Sequence, residues 1–151
     1  MKKRYYLLAG LIAALLLVAG GLLYLFYRPM SLRLFKWLSL DEESSFLVNI
    51  RQNVPDFYSW IIYALPDGLW SCAYVLVIGM IWGFDYKKCF PVTAVIPVIG
   101  ILSEFGQAVG LVPGIFDIAD FFSYLLGWIA GYAMIYIFAS HNNRIIKYEK
   151  N

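Results

Sequence analysis

From Tyr6 to Tyr27 the chain carries no charged residue. A helix rising roughly 1.5 Å per residue over such a run is long enough to cross the hydrocarbon core of a bilayer. Two more runs of this kind follow, Gly68 to Phe84 and Cys89 to Val112, the latter with Glu104 as its single charge, and a fourth begins after Asp117. A chain of 151 residues that is 62% hydrophobic and 19% aromatic cannot keep most of its apolar side chains inside one soluble core. Lipid has to solvate them, and the bilayer sets the architecture: one all-α domain, an integral membrane bundle of about four transmembrane helices.

The span boundaries follow from charges and breakers. Lys2, Lys3 and Arg4 precede the first run, which is too long for the apolar part of a secretory signal and is expected to stay as a span over about 6–27. Arg28-Pro29 ends it. Residues 28–65 read as an extracytoplasmic interfacial segment. Leu32, Phe35 and Leu38 recur at helical spacing with Arg33 and Lys36 offset, and Ser39-Leu40-Asp41-Glu42 has the form of a capping box for a second short helix with Phe46, Leu47 and Ile50. Pro66 suits a first helical position, so the second span is expected over 66–84, with Trp60 and Tyr63 at the interface. The third is expected over 89–111, bent by Pro91 and Pro97, and the fourth over 117–139, with a basic tail from His141. Grouping Lys2, Lys3, Arg4, Lys87, Lys88, Arg144, Lys147 and Lys150 on one side gathers eight of the twelve basic residues. The expected location is a bacterial cell membrane with both termini cytoplasmic.

Several function classes fall away. A net charge of +2 and the lack of a basic block interleaved with exposed aromatics argue against a nucleic-acid partner. Cys72 and Cys89 fall in different spans and read as small apolar packers, without metal spacing around them. The one histidine, His141, stands on the cytoplasmic side, away from the acids discussed next, which removes Ser-His and Cys-His nucleophiles and imidazole-bound zinc at the outer face. Small residues at four-residue spacing, Gly79 and Gly83, Gly106 and Gly110, and Ser123, Gly127 and Gly131, read as helix-packing faces.

The topology brings four acids to the outer side. Asp67 opens the second span, Asp117 and Asp120 open the fourth, and Glu104 lies about 21 Å along the third, in the outer part of a layer roughly 30 Å thick. Glu104 and Gln107 share a helical face, as do Asp117 and Asp120, with Tyr124 one turn further. An ionisable group in a span is costly, so Asp67, Glu104, Gln107, Asp117, Asp120 and Tyr124 form a candidate ligand-binding cluster without assigned catalytic residues. Simpler readings stand beside it: Asp117 as a helix cap, Asp120 and Asp67 as first-turn acids, and Glu104 as a carboxyl bonded to Gln107 or Tyr124. An oxygen-only cluster leaves a hard cation such as Mg²⁺ open, and no cofactor is indicated. Oxygen chemistry of this kind could also serve a membrane-embedded enzyme acting on a headgroup, and the same polar residues could merely join helices in an assembly subunit.

Pro66-Asp67 at a span, then Glu104-Phe105-Gly106-Gln107, then Asp117-Ile118-Ala119-Asp120, then Gly127 and Gly131, resembles the VanZ-like family of small bacterial membrane proteins, over roughly residues 60–135. The chain departs from that pattern at Gly68 and Ser71, where the family often has Lys and His, at Tyr124 in place of Asn, and in having no basic residue from Ala108 to Asp120. The resemblance implies a cell-envelope protein whose partners are the lipid bilayer and an envelope ligand or glycopeptide. It also implies an association with teicoplanin-type resistance.

Overall fold

The computed structural model describes residues 2–29, 35, 45–55 and 58–148. The expected interfacial helix over 31–40 and the capping box at 39–42 lie outside these residues, as do the side chains of Phe46, Leu47 and Trp60. Six helices are described: α1 (Lys2–Tyr27), α2 (Ser45–Gln52), α3 (Ser59–Ile81), α4 (Tyr86–Thr93), α5 (Val95–Ala108) and α6 (Ile118–Tyr148). No strand occurs among the described residues. Four segments are long and apolar enough to cross a membrane: Lys3–Tyr27, Ile62–Ile81, Tyr86–Ala108 and Ile118–His141. Their outward sides carry large apolar residues such as Leu15, Ile99, Leu102 and Leu126, all exposed, which suits lipid rather than water as the solvent. The chain is an all-α, multi-pass membrane bundle.

Successive spans run in alternating directions, so the described start of α1, the end of α6 and the 82–86 turn share one end of the bundle, called here the terminal end. The opposite end carries α2 and the loop from 109 to 117. Helix α3 sits in the middle, packed by α1 on one side and α6 on the other. Ala64, Gly68, Val75 and Gly79 of α3 meet Ser123, Gly127, Gly131 and Ile135 of α6 in that order, so these two helices run parallel. A Cβ on Gly127 would strike the Gly68 carbonyl, and one on Gly131 would come within 2.8 Å of Val75. Close backbone approach is what small residues provide where lipid supplies no hydrophobic drive for helix association. Ala9, Ala13, Ala73, Val75, Leu76 and Ile135 fill the interior between the three helices.

The structure corrects three expectations about the spans. The second span does not begin at Pro66: α3 starts at Ser59 and holds Pro66 inside it. Pro66 has no N–H for the Ile62 carbonyl four residues earlier, a loss that spans tolerate, and the adjacent Tyr63 carbonyl accepts from Arg28 Nη2 at 2.8 Å. The third span is two helices with a break at Ala94, three residues before Pro97. The last helix continues through the expected tail to Tyr148.

The glycine pairs of α3 and α5 are a different matter. Gly83 N–H donates to Met80 O and Phe84 N–H to Gly79 O; Gly110 N–H donates to Gln107 O and Leu111 N–H to Gly106 O. Each is a Schellman C-terminus, with Gly83 (φ +63°) and Gly110 (φ +74°) in the left-handed conformation. Gly83 and Gly110 therefore end their helices, while Gly79 also packs on α6, where an added Cβ would come within 2.6 Å of Ile135. Only the Ser123, Gly127 and Gly131 stripe packs a whole face against a partner helix.

Candidate functional site

The acids gather at the end opposite the termini, but they do different work. Asp117 stands just before α6, and its Oδ1 accepts from Ala119 N–H at 2.8 Å, which is N-cap geometry. Glu104, only 6% exposed, extends Oε2 from α5 to accept the Asp117 N–H at 3.1 Å. It thus satisfies one of the orphan donors at the entry to α6 and ties the third span to the fourth. The expected bonds from Glu104 to Gln107 or Tyr124 are replaced by this backbone contact. Gln107 lies against Gly114 in the loop after α5.

Asp67, inside α3 and not in its first turn, hydrogen-bonds Tyr124 through the side chains. The Tyr124 ring lies on the α5 backbone, where a Cβ at Gly100 would come within 2.7 Å of it. Ser71 O–H, one turn below Asp67, donates to the Tyr124 carbonyl at 3.1 Å. Asp120, in the first turn of α6, is within electrostatic reach of Asp67, Asp117 and Glu104. Its Oδ1 is buried and has no hydrogen-bond partner.

Compared with protein-family models, curated proteins and solved structures, the chain matches none. The site therefore has to be read from its own geometry. Of the six residues expected there, Asp67, Glu104, Asp117, Asp120 and Tyr124 interact with one another, and Gln107 packs on Gly114 in the loop that leads to Asp117.

Arg28 was not among those expected. It follows the last residue of α1, where its position reads as a charge flanking a span, but its side chain crosses to α3. There the guanidinium lies 4.8 Å from the Tyr63 ring centroid and 5.6 Å from that of Tyr24, and its charge reaches both Asp67 and Asp120. The available signal was the tyrosine spacing, Tyr24 one turn before Arg28 and Tyr63 one turn before Asp67. A sequence does not show that two such turns meet.

Ser71 and Ser123, on the helices that carry Asp67 and Asp120, both donate to main-chain carbonyls, Ser123 to Ala64 O at 2.6 Å. His141 lies at the terminal end, with Nδ1 against the Ile137 carbonyl. Cys72 and Cys89 are free thiols buried in the interior. Among the described residues no three His, Cys, Asp or Glu side chains converge as a metal site.

Proposed function

We propose that the chain is a binding protein of the bacterial cell envelope, with both termini cytoplasmic, whose outward-facing acidic end holds a cationic or hydrogen-bonding group of a ligand or partner. The orientation is supported by the gathering of Lys3, Arg4, Lys87 and Lys88 at the terminal end. The observation that carries the reading is the division of labour among the acids. Glu104 and Asp117 serve the helix end and Asp67 serves Tyr124, whereas Asp120 keeps a buried oxygen without a partner. A buried acceptor left unsatisfied costs about 1–3 kcal/mol, a cost that a bound donor removes. The resemblance to VanZ-like proteins supports glycopeptide resistance as the setting, with a teicoplanin-type molecule as ligand or as competitor for the same envelope target.

The test compares growth inhibition by teicoplanin in a susceptible bacterium carrying the wild-type chain, Asp120→Asn at matched membrane level, or empty vector. Protection by the wild type and not by Asp120→Asn is the expected result. Equal protection by both would remove Asp120 from the function. Absence of protection by either would detach the chain from resistance.

A further inference from the structure

The acidic end also holds two arginines, Arg28 just after α1 and Arg51 in the last turn of α2, whose side chains reach beyond their own helix ends. Arg28 Nη2 donates to the Tyr63 carbonyl and its guanidinium lies over Tyr24 and Tyr63; Arg51, in the last turn of α2, donates from Nη2 to the Arg28 carbonyl and lies 6.0 Å from the Phe35 ring centroid. Carbonyls and ring faces orient a guanidinium without neutralising it. Among the described residues neither arginine has a carboxylate within ion-pair distance, since the one such pair is Lys88 with Asp85. Each also keeps one buried N–H group without a partner, Arg28 Nε and Arg51 Nη1. The Arg28 guanidinium is held on the Tyr63 carbonyl and the Arg51 guanidinium on the carbonyl of Arg28 itself, so two charged groups with unused donors stand at the same end of the bundle, a pairing suited to a phosphate or carboxylate.

The neighbouring acids restrict what can bind. A ligand with only negative charge would face Asp67 and Asp120, which already feel Arg28, and one with only positive charge would face the arginines. A ligand with both charges meets complementary groups on each side, and the three unpartnered atoms are two donors and one acceptor. An apolar groove of about 410 Å³ between α3 and α6, lined by Ala64, Leu69, Ala119, Leu126 and Met134, starts one turn from Asp67 and Asp120 and suits an acyl chain.

Building on the reading of this end as a binding site, we propose that it takes a zwitterionic phosphate–amine headgroup, the phosphate on Arg28 and Arg51 and the primary ammonium on Asp120.

The test measures binding to the full chain in detergent micelles, by native mass spectrometry, of four probes: dioctanoyl phosphatidylethanolamine, dioctanoyl phosphatidic acid, dioctanoyl phosphatidylcholine and soluble phosphoethanolamine. The ethanolamine lipid should bind roughly tenfold more tightly than the other two lipids, and both Arg28→Gln/Arg51→Gln and Asp120→Asn should weaken it roughly tenfold. Competition by soluble phosphoethanolamine would support the headgroup chemistry with a water-borne source; its failure to compete, with the lipid preference intact, would support a membrane lipid. Equal binding of the three lipids would overturn the proposal. Loss with Asp120→Asn alone would overturn it and leave the acid site standing. Loss with the arginine pair alone, or with neither variant, would overturn both readings. If the glutamine pair does not fold, Arg28→Lys/Arg51→Lys replaces it, keeping charge but not the planar fork, and wild-type affinity in that folded variant would overturn the proposal.

Discussion

The two ends of the bundle both carry aromatic and polar side chains, yet they close in different ways. At the terminal end Tyr6, Phe84 and Phe138 form an edge-on series with centroids 5.0 and 5.4 Å apart, and Tyr5 adds to it at 5.9 Å from Phe138. The polar atoms there find partners within the chain: Tyr74 O–H donates to Val92 O at 2.6 Å, Tyr132 O–H to Tyr86 O at 2.9 Å, and Lys88 pairs with Asp85 at 3.1 Å. The acidic end holds all three buried side-chain atoms that lack a partner among the described residues: Arg28 Nε, Arg51 Nη1 and Asp120 Oδ1. Within a membrane bundle an unsatisfied polar group is expensive, and these open valences at one end are what the proposed binding role rests on.

The comparison can be broken experimentally. The largest effect should come at the α3–α6 seam on which both ends depend. Gly127→Val would push a side chain into the Gly68 carbonyl, and we expect a loss of about 3 kcal/mol or failure to fold. A wild-type melting temperature in detergent would show that the seam can open without cost. Next is Glu104→Ala, which strands the Asp117 N–H and should cost about 2 kcal/mol in mixed-micelle unfolding, while Glu104→Gln keeps an acceptor and should cost less. If the two variants were equally mild, Glu104 would not be the tie between the third and fourth spans.

Asp120→Asn sharpens the contrast within the acidic end. Because Oδ1 has no partner to lose, stability should be unchanged or higher, by about 0.5 kcal/mol or less, and a large drop would mean that Asp120 holds the fold. The smallest effect belongs to the terminal end. The Lys88 side chain bonded to the exposed Asp85 carboxyl, with the Lys88 N–H as a second donor, holds that group below its ordinary value of 3.8. A depressed carboxylate contributes stability above its unfolded value, and the contribution disappears as pH falls through the folded value. Asp85→Asn should therefore lower the melting temperature slightly at neutral pH and not below that acid range; a difference that persisted in acid would point to the cap geometry and not the charge.

Legibility differed between fold and site along a physical line. The four spans were readable because lipid solvation acts on the composition of each segment of about 20 residues, regardless of its neighbours. The boundary at Pro66 was misplaced because proline favours a helix start on local grounds, whereas a span packed between two other helices carries a proline in its interior. The Gly79–Gly83 and Gly106–Gly110 spacings looked like packing faces because a Schellman terminus and a small-residue stripe can have the same period. The acids were found by their cost in a span, but their roles could not be sorted, since Glu104 and Asp117 are 13 positions apart and joined only through the loop between them.

By itself the sequence determined that this protein is a helical membrane bundle, how many times it crosses, and which end collects the acids. Those properties follow from local hydrophobicity and charge order. The tertiary structure alone decided that Arg28 leaves α1 to stand among those acids, that Glu104 serves a helix end, and that Asp120 keeps an oxygen free. Each depends on how one helix is placed against another, as the close Gly68–Gly127 approach places α3 against α6.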